Sequence, residues 1–153
     1  MIRAVVLDSE PLGLLTHPVR TARILACDQW VTDLLAAGVR VVVPEIIDYE
    51  LRRELLRANK SASIALLDAF NQAVGDRYLP LTTECLRSAA SLWSRVRQQG
   101  IPTTDPKALD IDVILAAQAL SLNMPLIEFV VATSNANHLS RFVIADTWQN
   151  ITV

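Results

Sequence analysis

Acidic and amide side chains stand at separated points of this chain in a pattern able to do chemistry: Asp8, Glu50, Asp112 and Asn135. Asp8 closes the apolar run Ile2 to Leu7, and Asn135 follows the apolar run Phe129 to Ala132. Glu50 falls on a helical stretch after a second apolar run, and Asp110 and Asp112 open a third helical stretch. Carboxylates brought together repel, which raises their pKa values unless a cation neutralises them. Hard divalent ions with a preference for oxygen, Mg²⁺ or Mn²⁺, are the matching partners. Such an ion polarises a phosphodiester and activates water, so the chemistry would be metal-assisted hydrolysis.

Each residue also has a plainer use. Asp8 can open a turn, and Glu50 can pair with Arg53 one helical turn on. Asp110 and Asp112 can be first-turn acids on a helix dipole. Asp105 before Pro106 reads as an N-cap with Pro at the first helical position. Asn135 can cap a short segment from Asn137 to Arg141. Asp110 and Asp112 point about 200° apart if both are helical. They face one site together only if the helix begins at Asp112.

The elements that must position these groups alternate. Ile2 to Leu7 reads as a buried strand leading into an acidic, Pro-containing turn, Asp8 to Pro11. Arg20 to Ala37 is helical by its apolar spacing, with Gly38 suited to the left-handed position after it. Val39 to Val43 is a β-branched strand stopped by Pro44. Glu45 to Arg57 is a helix with acids early and arginines late. Ser63 is expected to cap a helix closed by Gly75, and Tyr78 to Leu81 forms a short extended link. Thr82 or Thr83 caps the next helix, which ends at Gly100. Residues 101–106 read as the clearest loop. Ile111 to Leu122 is apolar nearly all round and therefore a buried helix. Phe129 to Thr133 is a further strand, residues 134–137 a polar turn, and the tail holds one more short strand. Strands separated by helices imply an α/β fold, a three-layer α/β/α sandwich on a central, mainly parallel sheet. Ligands in such folds bind beyond the carboxyl ends of the strands, where these acids fall.

Length and composition agree with one domain over residues 1–153. The chain is 52% apolar and 20% charged, with 4 Gly and 7 Pro, which excludes disordered and collagen-like classes. With 14 Lys and Arg against 16 Asp and Glu the net charge is −2, so nucleic acid can bind only through a local basic face. Cys27 and Cys85 make no CxxC pair and read as buried thiols of a reducing compartment. No secretory h-region or membrane-spanning stretch is visible, and the expectation is a cytoplasmic protein without a membrane partner.

Together the segments are more specific. Val5-Val6-Leu7-Asp8-Ser9, Val43-Pro44-Glu45 through Glu50-Leu51-Arg52-Arg53, Asp112-Val113-Ile114-Leu115-Ala116-Ala117-Gln118-Ala119 and Thr133-Ser134-Asn135-Ala136-Asn137-His138-Leu139 occur in that order. This series resembles the PIN-domain ribonucleases of the VapC-like toxin type in type II toxin–antitoxin systems, over nearly the whole chain. The resemblance implies that Asp8, Glu50 and Asp112 are the family acids that hold Mg²⁺, with Mn²⁺ as a substitute. It places Asn135 where many members carry a fourth Asp, and Ser9 as the small hydroxyl residue supporting the site. Glu10 stands where the family commonly has Asn. The implied activity is endonucleolytic cleavage of RNA, restrained by a cognate antitoxin, in a chain that forms homodimers. Asp8, Glu50, Asp112 and Asn135 are then the catalytic set, with Ser9 and Asp110 supporting.

RNA also needs positive charge. Arg52, Arg53, Arg57 and Lys60 form the densest basic stretch, and Arg52 and Arg53 are the expected nucleic-acid contacts. The same residues can serve in intrahelical ion pairs such as Asp48 with Arg52. His138 reads as a structural hydrogen-bond partner, His17 carries no signal, and Trp30, Trp93 and Trp148 read as core. Neither Gly-x-Gly-x-x-Gly nor a phosphate-binding Gly-x-x-x-x-Gly-Lys motif is present. A phosphatase using Asp8 as nucleophile would want Asp at position 10, where Glu10 stands. The competing reading is a PIN fold that has lost catalysis and binds RNA or a protein partner.

Overall fold

The computed structural model describes residues 1–100 and 105–153. Its centre is a five-stranded, all-parallel sheet built from β1 (Ala4–Leu7), β2 (Arg40–Pro44), β3 (Tyr78–Leu79), β4 (Phe129–Ala132) and β5 (Ala145–Asp146), in the order β3-β2-β1-β4-β5. β1 lies in the middle, with Val5 opposite Val41 on one side and Val130 on the other. Every residue of β1 and β4 is buried, without alternation. Both faces of the sheet are therefore covered, which is why these strands read as continuous apolar runs.

Helices supply the cover: α1 (Ser9–Leu15), α2 (Ala22–Ala36), α3 (Glu45–Arg57), α4 (Ser61–Gln72), α5 (Thr83–Gln98), α6 (Pro106–Leu120) and α7 (Ala136–Leu139). One apolar core surrounds the sheet and includes Leu7, Leu12, Leu34, Ile47 and Phe129, all essentially without exposure. Burying each such side chain contributes about 1.5–3 kcal/mol. A second cluster lies between α5 and α6, around Leu92, Val96, Leu109 and Val113. Both cysteines are buried and unpaired, and burial pushes the Cys27 thiol up to about 12.

Four local readings change. Asp8 to Pro11 is not a turn: α1 starts at once, with Asp8 as its N-cap. Pro11 is tolerated there because the first helical turn has no intrahelical use for its N–H. Ser63 is buried within α4 and does not cap it; the helix begins at Ser61 after Lys60. Asn59 adopts φ 55°, and Lys60 and Asn59 return their N–H groups to Leu55 and Leu56, so α3 turns into α4 within three residues. Third, α6 begins at Pro106 and not near Ile111, because Asp105 caps it by accepting the Lys107 N–H at 3.0 Å. Of the expected loop over 101–106, residues 101–104 lie outside the described residues. Trp30 and Trp148 pack with ring centroids 5.7 Å apart, but Trp93 is exposed, with the Arg97 guanidinium over its ring. No helix among the described residues is long and apolar enough to cross a membrane.

Candidate functional site

The strand order reverses direction between β1 and β4, and a crevice opens beyond the carboxyl ends of strands at such a point. Asp8 sits at that end of β1. Its backbone N–H still donates to Ala132 in β4, which fixes the residue at the switch. One carboxylate oxygen accepts the Ser9 N–H at 2.7 Å, and the other accepts the Thr133 hydroxyl at 2.6 Å. Thr133 is buried, and its Oγ1 also accepts the Asn135 N–H at 2.9 Å. A single hydroxyl thus ties the end of β4, the Asn135 turn and Asp8 together. Asp8 caps a helix where its plainer reading was to open a turn, and each of its oxygens keeps a lone pair for a further partner.

Asp112 projects from the first half of α6 and its side chain is 15% exposed. Its carboxyl is pushed up to about 7, first by burial and then by the negative charges of Asp8 and Glu50; Arg141 pulls the other way. That combination places Asp8, at the end of β1, and Glu50, on α3, within electrostatic reach of Asp112 on α6. Glu50 is half-buried on α3, and among the described residues its side chain makes no hydrogen bond or ion pair. The expected pairing with Arg53 does not form, because Arg53 lies over the Tyr49 ring, 5.2 Å from its centroid.

On the other flank of Asp112, His138 Nδ1 lies 3.9 Å from Oδ2 and 3.0 Å from the Asn135 side-chain amide nitrogen. Asn135 stands at the N-cap position of α7 without capping it through its side chain. Its amide is occupied with His138 instead. With that amide donating, a neutral His138 carries its proton on Nε2.

Among the described residues no three His, Cys, Asp or Glu side chains close on a point tightly enough to hold a metal by themselves. The donor set still suits Mg²⁺ or Mn²⁺. All its ligand atoms are oxygens, and Mg²⁺ commonly keeps several waters while using one or two carboxylates. A carboxyl pushed up to about 7 by burial and then by two acidic neighbours is also a site short of positive charge.

Other expected residues are placed differently. Asp110 is exposed and, because α6 starts at Pro106, points away from Asp112 around the helix. Among the described residues its side chain makes no hydrogen bond or ion pair. Ser9 begins α1, and it is its backbone N–H that meets Asp8. Glu10 pairs with Arg23. Arg52 is spent within the fold: its guanidinium donates twice to Asp48, at 2.8 and 3.0 Å, and once to Asp68 at 2.7 Å. Asn71 completes that knot by donating to Asp48 at 2.8 Å. Arg57 pairs with Glu54. Thr133 and Arg141 were not singled out from the sequence. Thr133 could have been, since a hydroxyl at the end of a buried strand two residues before Asn135 is well placed to tie that turn; Arg141 gives no such signal.

The PIN domain family model matches residues 26–138, about three-quarters of the sequence. The chain belongs to the PIN domain family. Solved structures agree on the fold. VapBC2 from Rickettsia felis, bound to a DNA fragment from their promoter, gives a TM-score of 0.68 at 16% identity, covering 95% of this chain and 98% of that one. FitAcB from Neisseria gonorrhoeae gives 0.66 at 19% identity over 96% and 99% of the two chains. VapBC-1 from nontypeable Haemophilus influenzae gives 0.62 at 17% identity, again over 96% and 99%. Among curated proteins no relative matches the sequence. The α/β/α sandwich expected of a PIN domain is the architecture observed, with all five strands parallel.

Proposed function

We propose that this PIN domain is a divalent-metal-dependent endoribonuclease, hydrolysing RNA phosphodiester bonds at the crevice beyond β1 and β4. The observation that carries it is the set Asp8, Glu50 and Asp112, contributed from three elements: burial first, and then the charges of Asp8 and Glu50, push the Asp112 carboxyl up to about 7. Carboxylates arranged at that cost suit a cationic partner better than the solvated surface. Mg²⁺ held by Asp8, Asp112 and Glu50 would neutralise them, polarise the phosphodiester and lower the pKa of the attacking water.

The chain's own residues divide the remaining work. Thr133 and the Ser9 N–H hold the two oxygens of the Asp8 carboxylate in place and leave each a lone pair for an ion or its water. Glu50 has no competing partner among the described residues, so it is free to orient a water for in-line attack. Asn135 and His138 form a donor edge beside Asp112, suited to a phosphate oxygen. We place the protein as the toxin of a two-protein pair, acting in the cytoplasm with an antitoxin partner and as a homodimer. The sequence resemblance and the fold shared with chains from VapBC and FitAcB complexes support that reading.

The test is cleavage of RNA by the purified protein, freed of any co-purifying partner, in Mg²⁺, Mn²⁺ or EDTA, beside Asp8→Ala and Asp112→Ala. Cutting that requires the ion and vanishes in both variants is the expected result, a loss of at least a hundredfold. Cutting that persists in the variants would sink the assignment. No cutting and no response to metal would favour a PIN fold that only binds RNA or a partner.

A further inference from the structure

A polyanion approaching this crevice meets acids first, so some cation must receive it. Two arginines of the basic stretch that the sequence pattern favours are engaged, Arg52 by Asp48 and Asp68 and Arg57 by Glu54, while Arg53 lies over the Tyr49 ring on α3. Glu10, the extra acid near the mouth, is matched by Arg23. A cleft next to the carboxylates is lined by Asp105, Asp112, His138, Arg141 and Phe142, where the first half of α6 faces the turn after α7. Arg141 is exposed at its rim, and among the described residues its side chain makes no ion pair or hydrogen bond. Its backbone is well anchored, because Phe142 and Val143 on its far side both return N–H groups to Leu139.

Resting on the ribonuclease reading, we infer that Arg141 is a phosphate-docking residue, which holds an RNA phosphate neighbouring the scissile one at the exposed rim of the cleft beside Asp112. Two features fit that role. A guanidinium offers a planar fork that matches phosphate oxygens in pairs. It also lines the same cleft as Asp112, and so stands within reach of the same nucleotide. His138, whose neutral ring presents Nε2–H when Asn135 donates to Nδ1, borders the same cleft and can share the phosphate. Docking, unlike transition-state stabilisation, acts on the bound substrate as strongly as on the transition state, so it moves KM and leaves kcat.

The experiment is steady-state cleavage of a fluorescently labelled single-stranded oligoribonucleotide in Mg²⁺ across a KCl series. It compares the unmodified protein with Arg141→Ala, Arg141→Lys and Arg3→Ala. Arg3 pairs with Glu128 before the opposite, amino end of β1 and serves as the charge control. Arg141→Ala should raise KM about tenfold with kcat within twofold, as loss of one charged hydrogen-bonded contact implies. The slope of log KM against log[KCl] should fall by about 0.7, the value for one phosphate contact on a single strand. Arg141→Lys should restore most of the slope, and Arg3→Ala should leave KM unchanged. Because Arg141 is exposed, thermal melting should show all variants folded. An unchanged KM and slope in Arg141→Ala would overturn the assignment while leaving the nuclease intact. So would a fall in kcat alone, or an equal effect from Arg3→Ala. Absence of cleavage by the unmodified protein would overturn the ribonuclease reading and the assignment with it.

Discussion

The Asp112 carboxyl, held up to about 7 by burial and by Asp8 and Glu50, keeps its proton in the fold at pH values where an unfolded chain has lost it. Free aspartate titrates near ~3.9. Between those values the native state binds more protons than the unfolded state, so this group lowers stability as pH rises from about 4 to about 7. Asp112→Asn is neutral throughout. Without added metal, the variant should melt with the wild type near pH 4 and above it at pH 8, by about 1–2 kcal/mol or several degrees. Equal melting temperatures at pH 8 would mean that the three acids are not coupled. Cation binding needs the ionised carboxylate, so metal affinity and cleavage should both climb as pH rises through about 7. Thr133 gives a second prediction at this scale, because its hydroxyl serves Asp8 and Asn135 at once. Thr133→Val should fold with a loss of about 1–3 kcal/mol in urea titrations, as expected for stranding a buried polar group. Its cleavage rate should fall tenfold or more, and Thr133→Ser should recover most of it.

Elements matter here because the acids ride on different ones, and a buried amide sets their spacing. Gln118 has no exposure; its Oε1 accepts the Ile46 N–H at 3.1 Å and its Nε2 donates to the Leu79 carbonyl at 2.8 Å. One side chain on α6 thereby joins the first turn of α3 to edge strand β3. Asp112 sits on α6 and Glu50 on α3, so the strut fixes one carboxylate against the other. Gln118→Leu should cost about 2–4 kcal/mol by urea denaturation, since both backbone groups lose their partner. Mn²⁺ should bind the folded variant more weakly, and unchanged affinity would show that the strut serves stability alone. Much of this layer was legible beforehand. β1, β2 and β4 are apolar runs because parallel strands are covered on both faces, and Asp8 and Asp112 follow from where those runs and the Ala116-Ala117 segment fall. What stayed hidden depends on chain-distant meetings. Thr133 reaches Asp8 across 125 residues, and Arg52 is captured partly by Asp68 on the next helix, which no spacing within α3 reveals. The start of α6 was misplaced because the Asp105 cap was credited but the helix was measured only from its apolar residues. Its exposed first turn therefore went uncounted.

Over the whole molecule the net charge is −2, and the carboxylate crevice adds a local excess of negative charge that folding itself assembles. An unfolded chain disperses Asp8, Glu50 and Asp112, separated by 42 and 62 residues in sequence, and offers a divalent ion only isolated, weak contacts. Mn²⁺ should therefore bind the native state selectively and stabilise it by mass action. At a free concentration a hundred times its Kd the gain is about 2.7 kcal/mol. For a domain of this size that corresponds to a rise in Tm of roughly 5–11 °C. The measurement is a melting series at pH 7.5 against Mn²⁺ concentration, with Ca²⁺ and Mg²⁺ alongside and Asp8→Ala as the comparison. A rise that grows with the logarithm of ion concentration and disappears in Asp8→Ala is the expected outcome. A flat response in the unmodified protein would show that the three acids do not hold an ion, and the amide at Asn135 would then mark a PIN fold that has kept its architecture without its chemistry. The distinction does not depend on choosing the right RNA, because it reads the metal site through the stability of the fold that creates it.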